Sequence, residues 1–457
     1  MSKLESIPLS YNTLIIGGGI VGAGIFRDLS LQGLNCLVVD KKDFSSQTSQ
    51  SSSKMLHGGI RYLENMDFGL VFEALHEKNL WLKIAPHLCY EMNFYMPVFK
   101  DSLRPKWMLK IGLFLYDLLS GFQNSPHKMV SKSDTMKFIP GIKESGLKGS
   151  GMYYDAIVDD LKLTLEVIYD GLKNKNCHAL NYVEYVKHET LCDNQIKVTL
   201  KDNITGISRD VFCQDLVFAT GPFTDHVLKD EYELKWKDHI LPSKGSHIWI
   251  KKERLPLKSA MVLTPNDGRV IFVIPQKDHV LVGTTEVNAN EDFFDIKASQ
   301  NELEYLIANL NNYFPHSKFT LEDIVNSFAG IRPLVKEDSD SNLGKTAREH
   351  KYFQVKPNLH IIIGGKYTTF RVMASDVAKA ICLRQQRNYN DGLSSMPLRQ
   401  KSIVDSFKEI HINDEIIKSI VEKEHVRKIE DVSRRINRPE FTLSDSQKKL
   451  IETLLSN

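Results

Sequence analysis

The stretch Gly17-Gly18-Gly19-Ile20-Val21-Gly22 constrains the fold more than any other part of the chain. It is a G-x-G-x-x-G. An apolar, β-branched run, Tyr11 to Ile16, precedes it, and a helical pattern follows to about Gln32. Gly33 is placed to end that helix, and Asn35 to Val39 reads as a second strand closed by Asp40. This is a βαβ start, the entry to a doubly wound sheet. The first glycine permits a tight turn, the second lets backbone approach a pyrophosphate, and the third lets helix pack on strand. The helix N-terminus then stabilises the phosphate charge. An acid ending the second strand suits ribose hydroxyls. An acid rather than a base there argues against a 2′-phosphate, and leaves NAD and FAD both open.

Two later turns lean toward FAD. The buried strand Asp215 to Thr220 ends in Ala219-Thr220-Gly221, which could return backbone to a dinucleotide. The strand His360 to Ile363 runs into Gly364-Gly365-Lys366-Tyr367-Thr368-Thr369, whose N–H groups suit the edge of a flavin ring. Each alone reads equally as an ordinary turn. The serine run Ser45 to Ser53 is either a flexible loop or a set of hydroxyls for a pyrophosphate. Arg61, Arg332, Arg348 and Lys366 all sit beside turn or glycine signals. Singly they read as solvated side chains. Gathered, they fit a small phosphorylated substrate, because guanidinium binds phosphate bidentately. His247, in Lys244-Gly245-Ser246-His247, reads as a general base or as a hydrogen-bonded structural histidine.

Periodicity predicts helices over Phe68 to Ile84, Lys106 to Leu119, Leu161 to Lys173 and Ser299 to Phe314, the last with a Ser299/Glu302 capping box. Short strand signals succeed each other from Ser246 to Val282, suggesting an antiparallel sheet separate from the parallel one. The Lys106 helix carries Trp107, Ile111, Phe114, Leu115 and Leu118 on one stripe. A core-facing helix is the first reading. With Arg104, Lys106 and Lys110 beside the stripe, an interfacial anchor is the second. The tail, about 386 to 457, is polar and mostly helical in pattern.

Composition narrows the function class. Of 457 residues, 42% are hydrophobic and 25% charged, which excludes a largely disordered or fibrous chain. A net charge of +2 is not that of a general nucleic-acid binder. The six cysteines form no C-x-x-C pair and no zinc-type spacing, so a reducing compartment is expected and no metal site. Met1 to Tyr11 has no secretory pattern. No apolar run approaches the roughly 18 residues needed to span a bilayer. The longest, Ile111 to Gly121, is broken by Asp117. A soluble or peripheral protein is expected.

Taken in order, LIIGGGIVGAGI, SSSKMLHGGIRYLE, LRPKWMLKIGLFLYD, DLVFATGP, KGSHIWI, IFVIP, VGTTE, AGIRPL and GGKYTTFR resemble the FAD-dependent glycerol-3-phosphate dehydrogenases of aerobic membranes. The resemblance runs from about residue 10 to about 375. It implies an α/β fold: a doubly wound, Rossmann-like FAD-binding domain interleaved with an antiparallel-sheet substrate domain, plus a short α-helical cap. The implied FAD segments are about 10–85, 145–235 and 355–385, and the substrate segments about 86–144 and 236–354. It further implies oxidation of sn-glycerol 3-phosphate to dihydroxyacetone phosphate, with electrons passing through FAD to a membrane quinone. The place implied is the inner face of the cytoplasmic membrane, as a peripheral protein and often a homodimer. His247 and Arg332 are the implied catalytic pair, the choice of base staying open. Arg61, Tyr62, Thr284, Arg348 and Lys366 are the implied substrate contacts. Gly17, Gly19, Gly22, Asp40, Thr48, Ser49, Ser53, His57, Gly59, Thr220, Gly221, Gly365 and Thr368 would hold FAD. The tail is shorter than the family's cap, most visibly over about 395–420, but keeps the Arg434-Arg435 pair. Alternatives are an oxidase using oxygen, a flavin amino-acid oxidase, and a non-catalytic flavin-binding protein.

Overall fold

The computed structural model describes residues 3–192, 194–229, 234–289, 293–336, 350–398, 402–405 and 407–456. The chain divides into two compact units. One comprises Met1–Gln50, Asp159–Pro242 and Pro333–Asn457, the other Ser51–Val158 and Ser243–Arg332.

The first unit is built on a sheet in the order His350–Lys356, Leu359–Gly364, Ser208–Phe218, Ser10–Ile16, Cys36–Asp40, His178–Asn181. From Leu359–Gly364 to His178–Asn181 every neighbouring pair is parallel. Leu14, Leu37, Val39, Leu216, Phe218 and Ile361 are buried in one core. The runs are apolar without alternation because parallel strands are covered on both faces. The helix Ile20–Leu31 packs against Asp160–Gly171 and Phe370–Arg384, and Gly33 at φ +81 ends its turn. The tail adds helices Asp414–Lys423, Ile429–Ile436 and Asp445–Ser456 around Ile417, Ile420, Val432 and Ile451. Ser444 and Gln447 cap the last helix reciprocally.

The second unit is built on a ten-stranded sheet. Ile240–Lys251, His279–Gly283, Ile271–Gln276 and Ala260–Leu263 pair antiparallel in that order, as the alternating signals predict. Ala260–Leu263 then joins Cys89–Phe99 by a parallel pairing. The helix Gln300–Tyr313 carries the predicted capping box and buries Leu306, Ile307 and Leu310 in this unit's core.

Residues 51–85 group with the second unit, whose sheet Met55–Leu56 joins by pairing with Ile157 and Ala156. One feature departs from the sequence reading. The helix Lys106–Leu119 does not turn its Trp107 stripe to the core. Trp107 is 67% exposed, and Ile111, Phe114 and Leu118 are about half exposed, at 54%, 51% and 47%. Its buried side chains are Leu109, Leu113, Tyr116 and Asp117, with Leu109 and Leu113 seated where Gly151 leaves room and Tyr116 reaching the backbone of Gly58. The core-facing reading of the stripe is thereby corrected.

Candidate active site

The first unit carries a glycine turn shaped to suit a dinucleotide. Gly17 has φ +110, and a Cβ there would overlap the Ala219 carbonyl oxygen. A Cβ at Gly22 would overlap the Gly17 carbonyl oxygen, so only glycine lets the helix approach the strand this closely. Gly18 N–H donates to Asp40 Oδ2 at 2.8 Å, and Lys42 N–H to Asp40 Oδ1 at 2.9 Å. Burial pushes the Asp40 carboxyl up to about 6, against those two hydrogen bonds. Ser49 Oγ accepts from Ile20 N–H at 2.9 Å, at the start of the glycine helix. Ser45 N–H donates to Gly18 O at 3.0 Å. The buried hydroxyls of Ser45 and Ser46 have no hydrogen-bond partner among the described residues. Close-approach glycines, a buried acid, a helix N-terminus and unsatisfied hydroxyls together fit a pyrophosphate and its ribose. Gly221, at φ +55, has open space where a Cβ would stand, and Gly365 has φ +74.

The second unit gathers a cationic cluster about a buried imidazole. His247 is 2% exposed. Its Nε2 lies 2.9 Å from Ser53 Oγ, and its ring stacks on Phe328 at 4.9 Å. Nδ1 is buried and has no hydrogen-bond partner among the described residues. Lys54 Nζ stands 5.2 Å above the same Phe328 ring. Burial pushes the imidazole down to about 3, with the Arg332 and Lys54 charges adding to the effect. His247 is therefore neutral at physiological pH, with one ring nitrogen left to a ligand. Arg332 donates to Thr284 Oγ1 at 2.7 Å, Thr285 O at 3.1 Å and Ser243 Oγ at 3.2 Å. A Cβ at Gly245 would overlap the guanidinium. Beneath it, Glu302 accepts from Thr285 Oγ1 at 2.6 Å and Ser246 Oγ at 2.8 Å and pairs with Lys244 at 3.1 Å, which ties the strand carrying His247 to the segment carrying Thr284 and Thr285.

The residues singled out from sequence fall as follows. Gly17, Gly19, Gly22, Asp40, Thr48, Ser49, Thr220, Gly221, Gly365, Lys366 and Thr368 are in the first unit. Ser53, His57, Gly59, Arg61, Tyr62, His247, Thr284 and Arg332 are in the second. Ser53 touches the imidazole itself. His57 reaches the same sheet through Phe272, ring to ring at 6.3 Å. Gly59, at φ +75, opens the short helix Ile60–Asn65 that carries Arg61 and Tyr62. Arg348 lies outside the described residues. Sequence reasoning missed Lys54, Ser243 and Phe328. Lys54 stands inside the SSSKMLHGGIRYLE block and Phe328 immediately before AGIRPL, so both were within reach of the motif.

Comparison with known proteins adds the following. The pattern of the family described as FAD dependent oxidoreductase (DAO) matches residues 12–378. The chain is 34% identical over 439 residues to the aerobic glycerol-3-phosphate dehydrogenase of Staphylococcus aureus strain MRSA252, covering 93% of this chain and 77% of that protein. The structure of glycerol-3-phosphate dehydrogenase from Bacillus halodurans complexed with FAD superposes with a TM-score of 0.70 at 27% identity, covering 86% of this chain and 68% of that one. L-alpha-glycerophosphate oxidase from Mycoplasma pneumoniae, with FAD bound, shares the fold at a TM-score of 0.63 and 19% identity, over 84% of this chain and 98% of that one.

Proposed function

Because the chain belongs to the FAD dependent oxidoreductase family, we propose that it oxidises sn-glycerol 3-phosphate to dihydroxyacetone phosphate, the electrons going on to a membrane quinone. The observation that carries this reading is the second-unit cluster: two fixed cations, Arg332 and Lys54, beside a buried neutral imidazole. The phosphate ester needs positive charge that does not titrate, and a guanidinium held by Thr284 and Thr285 supplies it in one orientation. The secondary alcohol loses its hydroxyl proton as its C2 hydrogen leaves with the bond pair. Neutral His247 is able to accept that proton, and the nearby cations stabilise the developing alkoxide. Gly17, Gly19, Gly22, Asp40 and Ser49 would hold FAD, which when bound would supply the hydride acceptor. Anaerobic titration of the purified flavoprotein with glycerol 3-phosphate tests the reading. The visible flavin band should bleach. A band that persists with glycerol 3-phosphate and bleaches with an amino acid overturns it.

The quinone and the membrane enter through the Trp107 helix. Among the described residues no helix is long and apolar enough to cross a membrane. The exposed stripe Trp107, Ile111, Phe114 and Leu118 instead presents aromatic and aliphatic side chains, with exposed Lys110 and half-buried Lys106 on the same helix. An apolar face edged by cations suits the interface of an anionic bilayer, aromatic rings at the headgroup level and amines on phosphates. This supports a peripheral protein on the inner face of the cytoplasmic membrane. Flotation with vesicles containing phosphatidylglycerol tests it: binding should fall with salt and fail on vesicles of phosphatidylcholine alone.

A further inference from the structure

The Arg434-Arg435 pair of the tail has no part in the chemistry above, yet Arg435 is among the largest fully buried side chains described. Its guanidinium grips Asp43 bidentately, Nη1 to Oδ2 at 2.6 Å and Nη2 to Oδ1 at 2.9 Å, with neither side chain exposed. Arg434 reaches the same carboxylate at 3.1 Å, and Asn181 Nδ2 donates to it at 2.8 Å. Nε of Arg435 is satisfied by the Glu424 carbonyl at 3.0 Å. Burial alone raises the Asp43 carboxyl. The two guanidiniums outweigh it and hold the group below the usual carboxylate range.

Asp43 stands at the centre of the loop that follows Asp40. Phe44, fully buried, fills the space beside Gly18 and meets the His425 ring of the tail edge-on at 6.0 Å. Ser45 is held at φ +62, a conformation costly for a serine, and in it donates its N–H to Gly18 O. Ser45 and Ser46 turn their unsatisfied hydroxyls into the protein, and Ser49 then caps the glycine helix. Every group the cradle offers between Asp40 and Ser49 thus hangs on a segment whose midpoint is anchored by the tail.

We propose that the helix Ile429–Ile436 is a latch on the dinucleotide loop, with Arg435, acting through Asp43, a positioning residue for FAD binding. Linkage makes the effect reciprocal: FAD should tighten the latch as the latch tightens FAD. The inference rests on FAD binding and not on the identity of the substrate.

The test is FAD affinity of the full-length apoprotein, read by quenching of flavin fluorescence, for Arg435→Met, Asp43→Asn and the double variant. Each single change should raise Kd for FAD at least ten-fold per folded molecule. The double variant should be no worse than the weaker-binding single, because both remove one contact. An unchanged Kd with only a lowered melting temperature would make the pair a folding contact and overturn the latch. Should the variants fail to fold, the wild type decides. Hydrogen exchange of residues 429–436 should slow when FAD is added to the apoprotein, and equal exchange with and without FAD overturns the proposal.

Discussion

Acid pH should destabilise this protein partly through one histidine. In the unfolded chain the His247 imidazole takes a proton near its ordinary value of 6.5, whereas in the native site burial, Arg332 and Lys54 hold it down to about 3. Between those values the unfolded state binds one more proton than the native state. Stability gained from this group is therefore complete above about pH 6.5 and is lost as pH falls, at about 1.4 kcal/mol per pH unit. Going from pH 6.5 to 5.0 costs about 2 kcal/mol from this residue alone, on the order of a fifth of a typical domain's stability. His247→Gln removes the term. His425, held down to about 4 by burial with Lys3 and Arg435 adding, has the same sign but is present in both proteins and cancels in the difference. The assay is pulse proteolysis in urea at a series of pH values, wild type against variant. The stability difference should shift in favour of the variant steadily from pH 6 to 4.5. Parallel curves over that interval would mean that His247 titrates normally, and the argument for a neutral, desolvated base would fall.

Arg332→Ala removes the cation held by Thr284 and Thr285. It should lower kcat/KM by about 10²–10³ while flavin content per folded molecule stays constant; equal loss of both would make Arg332 a folding residue. Gly22→Ala drives a Cβ into the Gly17 carbonyl, so FAD affinity should fall at least ten-fold, measured by fluorescence titration, and an unchanged affinity would refute the close-approach reading. Replacing Trp107 and Phe114 by serine should release the protein from anionic vesicles by about ten-fold per residue, leaving turnover with a soluble dye acceptor intact. Retained vesicle binding would move the membrane contact elsewhere.

What the sequence disclosed and what it hid divide by the range of the physics. The segment Gly17 to Asp40 is legible because turn, helix start and closing acid all lie within one βαβ unit, and each residue's role is set by its neighbours. The imidazole cluster is not, since Ser53 and His247 meet across 194 positions and the low basicity of His247 arises from burial and from charges that come from distant segments. The Trp107 helix marks a different limit. Both of its faces are apolar: Leu109, Leu113 and Tyr116 on one, Trp107, Phe114 and Leu118 on the other. Periodicity detects two such stripes without ranking them. Gly151 and the Gly58 backbone decide it by receiving Leu109, Leu113 and Tyr116. The strand Met55–Leu56 was illegible for another reason, since two residues carry no pattern of their own.

The placement of charge ties these observations together. The proposed dinucleotide cradle offers backbone N–H groups, serine hydroxyls and one buried acid, and the guanidiniums that reach its loop, Arg434 and Arg435, are engaged by Asp43 and Asp431. Such a cradle takes a pyrophosphate by dipoles and hydrogen bonds, which suits a cofactor that is to be held and not released. The second unit does the opposite, with Arg332 and Lys54 beside a neutral imidazole. Those two charges depress the histidine beyond burial. On the proposed reading, a phosphate dianion bound beside Arg332 would offset them, and the same step that fixed the substrate would restore part of the basicity of His247. An uncharged polyol brings no such change, so discrimination in favour of a phosphate ester acts on proton transfer as well as on binding.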